Sequence, residues 1–255
     1  MNNNSYVVSI IPQLKDNYSY IISSNNNKSA IVVDPADATS ILRFIKDKKL
    51  SLEAIILTHH HSDHTSGILG ILDEINVPVY SPNKQIDGTT NLVTNKDKIN
   101  FSFISFEIIA TPGHTLDHIV YYSKLGKILF SGDTLFRLGC GRVFEGTYEQ
   151  MFTSLKILKN LNDETEVYCG HEYTLNNFKF LQSIFTDMKE LELIKEQILK
   201  QLKNSNFSIP FNLGKEKKVN PFLSTNSSYY QEYKQNKKFN DFEMFSHIRD
   251  LKNNY

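Results

Sequence analysis

The sequence predicts a layered α/β domain with a small helical domain after it. Three observations carry that reading. Up to about residue 173, short β-branched and aromatic runs alternate with stretches of helical period. Beyond Tyr173, helical patterns follow one another with no strand between them. Several apolar runs break off into loops bearing side chains that are hard to bury, and open α/β sheets gather their ligands beyond their strand ends. The boundary falls at residue 173, with 1–173 as the α/β domain and 174–255 as the helical one.

Tyr6–Ile11, Tyr18–Ser23 and Ala30–Val33 read as a meander, parted by Pro12 to Asn17 and by the turn from Ser24 to Lys28, with Asp34-Pro35 closing the third strand. Thr39-Ser40 followed by Ile41, Leu42 and Ile45 gives an amphipathic helix over about 38–48. Ala54–Leu57 is a buried strand, Ser66 and Gly67 open a helix near 66–74, and Val79–Ser81 is a strand after Pro78. Further strands fall at Phe106–Ala110, Lys127–Phe130 and Glu166–Cys169. A helix at about 148–160 carries Met151, Phe152, Leu155 and Leu158 on one face. Gly132 to Gly146 reads as a long loop, and loops of that length inside compact domains tend to be functional. Then Leu175–Phe185 and Met188–Leu202 are helical, Asn204 to Asn220 irregular, and about 226–236 and 241–253 helical again.

The strand at Ala54–Leu57 runs into Thr58-His59-His60-His61-Ser62-Asp63-His64, and half of the chain's eight histidines sit there. Imidazoles crowded so closely repel one another when protonated and need many partners when buried. A metal resolves both, because neutral imidazole nitrogen and carboxylate oxygen are its ordinary ligands. Residues two apart project to one side, so His59 and His61 can hold one ion while His60 points away. Asp63 and His64 follow as the chain bends, which suits a second ion. Three more junctions repeat the design: Thr111-Pro112-Gly113-His114, Ser131-Gly132-Asp133-Thr134 and Gly170-His171-Glu172-Tyr173. Taken singly, His114 or His171 reads as a hydrogen-bonded structural residue and Asp133 as a turn cap; taken together they complete a metal site. His118 reads as a support behind it or as a structural residue.

Composition limits the rest. Lys plus Arg and Asp plus Glu number 28 each, so no global field favours nucleic acid or an anionic membrane. Cys140 and Cys169 make no disulfide framework. The start, Met1 to Ser5, lacks the charged and apolar regions of a signal peptide, and no apolar run is long enough to span a bilayer. A cytoplasmic monomer without membrane or nucleic-acid partners is expected.

With those residues assembled, the chain resembles the metallo-β-lactamase superfamily through the Thr58–His64 run, Pro112-Gly113-His114-Thr115, Gly132-Asp133-Thr134-Leu135-Phe136 and Gly170-His171-Glu172-Tyr173-Thr174. Within it, Gly139-Cys140-Gly141-Arg142, Glu145-Gly146, Asn220-Pro221-Phe222 and the pair Arg249 and Lys252 resemble glyoxalase II, the hydroxyacylglutathione hydrolases. The resemblance implies an αββα sandwich with a C-terminal helical domain. It implies one metal held by His59, His61 and His114, a second by Asp63, His64 and His171, and Asp133 bridging, with Asp63 and Asp133 as the catalytic carboxylates. Zinc is the first expectation, iron and manganese the alternatives. It further implies a glutathione site made by Arg142, Phe144, Tyr173, Arg249 and Lys252. Phe144 stands where the family commonly has tyrosine, Arg142 where lysine is frequent, and Asp117 where glycine is usual.

The implied reaction is hydrolysis of S-D-lactoylglutathione to glutathione and D-lactate, the second step of methylglyoxal detoxification. A metal-bridging hydroxide attacks the thioester carbonyl, and the leaving thiolate needs no dedicated acid. No serine or cysteine nucleophile is required, so Cys140 is expected to be structural. Rival readings predict other features. A nuclease on this fold carries a basic surface for phosphates; a diiron oxidoreductase has glutamate in place of His61; a sulfur dioxygenase relative keeps a mononuclear site; a β-lactam or lactone hydrolase has no use for Arg249 and Lys252. A non-catalytic glutathione-binding scaffold would not retain seven ligand-type residues that are costly to keep.

Overall fold

The computed structural model describes residues 6–185 and 189–255. The segment Met1 to Ser5, read above for its lack of signal-peptide features, and Met188, the expected start of a helix, lie outside the described residues. The described residues fall into two compact units: those within 1–110 together with 117–132, and those within 111–116 together with 133–255.

The first unit contains β1 (Tyr6–Gln13), β2 (Asn17–Ser24), β3 (Ser29–Val33), α1 (Ala38–Lys48), β4 (Ser51–Ile56), α2 (Ser62–Thr65), α3 (Ile68–Leu72), β5 (Val79–Ser81), β6 (Asn91–Leu92), β7 (Lys98–Asn100), β8 (Ser105–Ala110), β9 (Ile119–Ser123) and β10 (Ile128–Gly132). One sheet runs β1-β2-β3-β4-β5-β6. Its first three strands are antiparallel, and β3 to β6 are parallel neighbours. A parallel step from β3 to β4 needs a crossover, and α1 supplies it. That helix starts where Asp37 accepts from the amides of Thr39 and Ser40, and stops at Lys49, which is left-handed at φ 53°. Ile41 and Ile45 of α1 pack with Ile21, Val32, Ile55 and Val79 from the sheet into one apolar core. Strands β7 to β10 follow one another as an antiparallel meander.

Two differences from the sequence reading have local causes. The helix expected near 66–74 begins at Ser62 and breaks at Ser66-Gly67, because the Gly67 amide donates to Pro35 O at 2.9 Å instead of continuing the helical ladder. A Cβ on Gly67 would lie 2.8 Å from that same carbonyl, so the close approach needs glycine. Strand β9 went unread because all five of its residues are buried, which removes the alternation that marks a strand.

The second unit contains β11 (Leu135–Phe136), β12 (Gly139–Cys140), α4 (Tyr148–Lys159), β13 (Glu166–Cys169), α5 (Thr174–Ile184), α6 (Lys189–Ser205), β14 (Phe211–Asn212), α7 (Leu213–Val219), a 3-10 turn (Pro221–Leu223), α8 (Ser228–Lys237) and α9 (Asp241–Asn253). Capping boxes start α4 (Thr147 with Gln150) and α9 (Asn240 with Glu243). Phe152, Phe222, Phe242 and Phe245 pack edge-on or tilted at 5.5–6.0 Å between ring centres, fastening α4, the 3-10 turn and α9 together. The stretch expected to be irregular, Asn204 to Asn220, holds β14 and α7; the buried charge of Glu216 disguised the helix. The loop from Gly132 to Gly146 contains the small antiparallel hairpin β11–β12. Among the described residues no helix is long and apolar enough to cross a membrane.

Candidate metal centre

Beyond strand β4, the candidate ligands are held by a network around Asp34. This carboxylate is 3% exposed and sits at the end of β3 with φ 48°. It accepts from Thr58 N at 2.8 Å, from Thr58 Oγ1 at 2.6 Å and from His64 Nδ1 at 3.1 Å. The Thr58 hydroxyl has a single hydrogen, and the carboxylate takes it. At His59 Nδ1, 3.0 Å away, Thr58 Oγ1 must therefore accept. His64 Nδ1 faces a carboxylate and must also donate. Both neutral rings thus carry their hydrogen on Nδ1 and present a lone pair at Nε2, the tautomer a metal requires.

The rings gather closely. His59 lies 4.7 Å from His61, 4.3 Å from His64 and 4.9 Å from His118, centre to centre. His118 stacks on His59 at 25° and is buried. Gly132, left-handed at φ 46°, has no room for a side chain: a Cβ would lie 2.6 Å from Thr58 Oγ1 and 2.8 Å from His118 Nε2. Asp63 accepts from Asn17 Nδ2 at 2.9 Å, and its Oδ2 is 3.8 Å from His64 Nε2. His60 turns to Asp117, with Nδ1 2.9 Å from the carboxylate, which also accepts from Asn83 Nδ2 at 3.1 Å. Asp117 thus fixes both His60 and Asn83.

The second unit carries His114, Asp133 and His171, all buried. Asp133 Oδ2 is 3.4 Å from His114 Nε2 and 3.2 Å from His171 Nε2. His114 Nδ1 donates to the carbonyl of Arg142 at 2.8 Å, so its neutral form turns a lone pair toward the carboxylate. Acceptor facing acceptor is repulsive, and a cation between them removes the repulsion. Imidazole and carboxylate donors, with no thiolate among them, fit a divalent metal.

Aromatic side chains flank His114 and His171. The exposed Phe144 ring stands edge-on to His114 at 5.3 Å, with the Arg142 guanidinium 5.5 Å from its centre. Tyr173, 37% exposed, stacks on His171 at 4.7 Å with an interplanar angle of 2°. Arg249 is buried instead: its Nη1 donates to Cys140 O at 2.9 Å and Gly141 O at 3.4 Å. Lys252 donates to Asn176 Oδ1 and lies 5.0 Å from the ring centres of Phe180 and Tyr255. Burial, and then Arg249, pushes its ammonium down to about 8. Cys140 is buried and its thiol is pushed up to about 11, consistent with a structural role.

Sequence reading missed Asp34, Thr58 and Asn17. Asp34 had a signal, since Ile31-Val32-Val33 ends in a carboxylate just as the other apolar runs end in ligand-type residues. Thr58 and Asn17 had none beyond residue type.

The fold and this donor set define a class. Residues 14–171 match the family model of the metallo-beta-lactamase superfamily, and residues 172–255 match that of the hydroxyacylglutathione hydrolase C-terminus. A hydroxyacylglutathione hydrolase from Nitrosomonas eutropha is 41% identical over 94% of this chain and 96% of its own length. The chain belongs to the hydroxyacylglutathione hydrolase family of the metallo-β-lactamase superfamily. The crystal structure of ETHE1 from Myxococcus xanthus shares the fold, with a TM-score of 0.65 and 22% identity over 98% of this chain and all of the other. TTHA1623, solved in a di-iron-bound form, gives 0.54 and 26% identity over 65% of this chain and 91% of its own.

Asp34 generates a prediction. Asp34→Ala frees the His64 ring and the Thr58 hydroxyl, and metal affinity should fall about 10- to 100-fold in competition with a chelator. Wild-type affinity in that variant would show that Asp34 does not orient the ligands.

Proposed function

We propose that this chain hydrolyses S-2-hydroxyacylglutathiones, S-D-lactoylglutathione among them, to glutathione and a 2-hydroxy acid, D-lactate for that substrate. The observation that carries the reading is the Asp133 carboxylate set against the lone-pair nitrogen of His114, with His171 Nε2 3.2 Å from the same oxygen. We assign one divalent cation to His59, His61 and His114, and a second to Asp63, His64 and His171, with Asp133 shared. Zinc is the metal that we assign, and iron, as in TTHA1623, suits the same donors. Bound there, such a pair lowers the pKa of a water from ~15.7 toward neutrality and polarises a carbonyl oxygen.

The protein's own residues do the rest. Asp34, through Thr58 and His64, holds the imidazoles in one tautomer, so nothing has to reorient during the reaction. Phe144 and Tyr173 pack against His114 and His171 on one side each and hold the rings in place. Residues 174–255 act as the substrate-binding domain. There Lys252, together with Arg142 and with Arg249 behind it, takes the carboxylates of glutathione, far from the reacting carbon. Binding energy gained at that distance positions the thioester. Phe144 offers no hydroxyl, so the contact a tyrosine would make is replaced by the edge of a ring and the Arg142 guanidinium. A thiolate of pKa ~8.5 departs near neutral pH without a proton donor, so no buried acid is needed. The substrate is a small molecule, and we read the chain as a cytoplasmic monomer without nucleic-acid or membrane partners.

Two measurements test this. Purified protein assayed on S-D-lactoylglutathione and on a generic phosphodiester, with metal quantified in the same sample, should cleave only the thioester and contain close to two divalent ions per chain. Full turnover in metal-free protein would refute the mechanism. The second concerns pH. Lys252 loses its charge as pH rises through about 8, so KM should climb above that pH. Lys252→Arg, which stays charged, should flatten the rise; a KM that stays constant in the wild type would remove Lys252 from the substrate site.

A further inference from the structure

The hairpin β11–β12 connects Asp133 to Arg142, and its backbone is tied down by side chains from four places in the second unit. Asn220 Nδ2 donates to Phe136 O at 3.3 Å and Gly139 O at 3.0 Å. Asn177 Nδ2 of α5 donates to Arg137 O at 3.1 Å. Glu216 of α7 accepts from the amide of Leu138, which is left-handed at φ 58°. Arg249 of α9 takes the carbonyls of Cys140 and Gly141. All four side chains are buried, the most exposed of them at 5%.

Both ends of the hairpin meet metal-ligand candidates. Gly141 donates to Thr134 O at 3.2 Å and lies so close to Asp133 that a Cβ on it would fall 1.9 Å from Asp133 O. One residue on, the Arg142 carbonyl holds His114 Nδ1. Gly139 is equally confined, since a Cβ there would lie 2.5 Å from Asn177 Nδ2. A shift of the hairpin therefore displaces Asp133 and turns His114.

We propose that Glu216 is a positioning residue for the reaction: by holding the Leu138 amide, within a clamp completed by Asn177, Asn220 and Arg249, it fixes the hairpin that sets Asp133 and His114. Burying a carboxylate in this way is costly, and it is kept where a backbone N–H in a left-handed turn would otherwise be buried without an acceptor. Burial outweighs the Leu138 amide, Arg137 and Asn220 and pushes the Glu216 carboxyl up to about 7. A neutral acceptor of the same shape should therefore serve almost as well.

This rests on the reading of His114 and Asp133 as metal ligands, and its test has a readout besides turnover. Metal-depleted wild type, Glu216→Leu and Glu216→Gln are titrated with cobalt(II) alone and followed by visible absorption, then assayed for kcat and KM on S-D-lactoylglutathione. Glu216→Leu should bind cobalt about 10-fold more weakly and lose kcat by a similar factor with KM within about 2-fold. Glu216→Gln should restore both to within about 3-fold, which a loss of folding alone would not produce. If Glu216→Leu does not accumulate as folded protein, Asn177→Ala carries the same comparison, since it removes one clamp bond and no charge. Wild-type cobalt affinity and kcat in the folded variant overturn the proposal. A wild type that binds cobalt and cleaves no glutathione thioester overturns the proposed function instead, while the cobalt comparison still decides the clamp.

Discussion

The Asp133 carboxylate oxygen lies 3.4 Å from His114 Nε2 and 3.2 Å from His171 Nε2, and where the facing nitrogen bears a lone pair the contact is repulsive unless positive charge lies between them. At His114 the choice is narrow, because Nδ1 has given its hydrogen to the Arg142 carbonyl and a neutral ring has no second one for Asp133. The same logic governs His59 and His64, whose Nδ1 atoms face a hydroxyl and a carboxylate that can only accept. His59, His64 and His114 are therefore each held with a lone pair at Nε2, the form that suits a divalent cation.

That constraint explains features that otherwise look expensive. Asp34 is buried and left-handed, an uncommon combination for a residue other than glycine, and three donors reward it. Gly132 and Gly141 leave no space for a Cβ because the backbone runs directly against Thr58 and Asp133. The hairpin after Asp133 is bound to four buried polar side chains rather than to a longer sheet. Rigidity is concentrated around Thr58 and Asp133, next to the metal-ligand candidates.

Much of this could be read from the chain alone, and the pattern of what could not is physical. Strands β4, β8, β10 and β13 were legible because apolar runs stop abruptly at chemistry-bearing residues, and α1 and α9 because their periods and caps agree. Ligand-type residues were legible because four histidines in one short run have few other uses. Strand β9, buried on both faces, showed no alternation, and α7 was hidden by the charge of Glu216. Supporting residues such as Thr58, Asn17 and Asn177 act through hydrogen bonds to residues 1 to 46 positions away, and residue type alone does not announce them.

The claim beneath all of this is that Asp133 is shared by two cations. The most direct measurement is an anomalous difference map at the zinc absorption edge from crystals grown with that metal. The account predicts two peaks, both within bonding distance of the Asp133 carboxylate, one beside His114 and the other beside His171. A single peak, or two peaks of which neither touches Asp133, would contradict it.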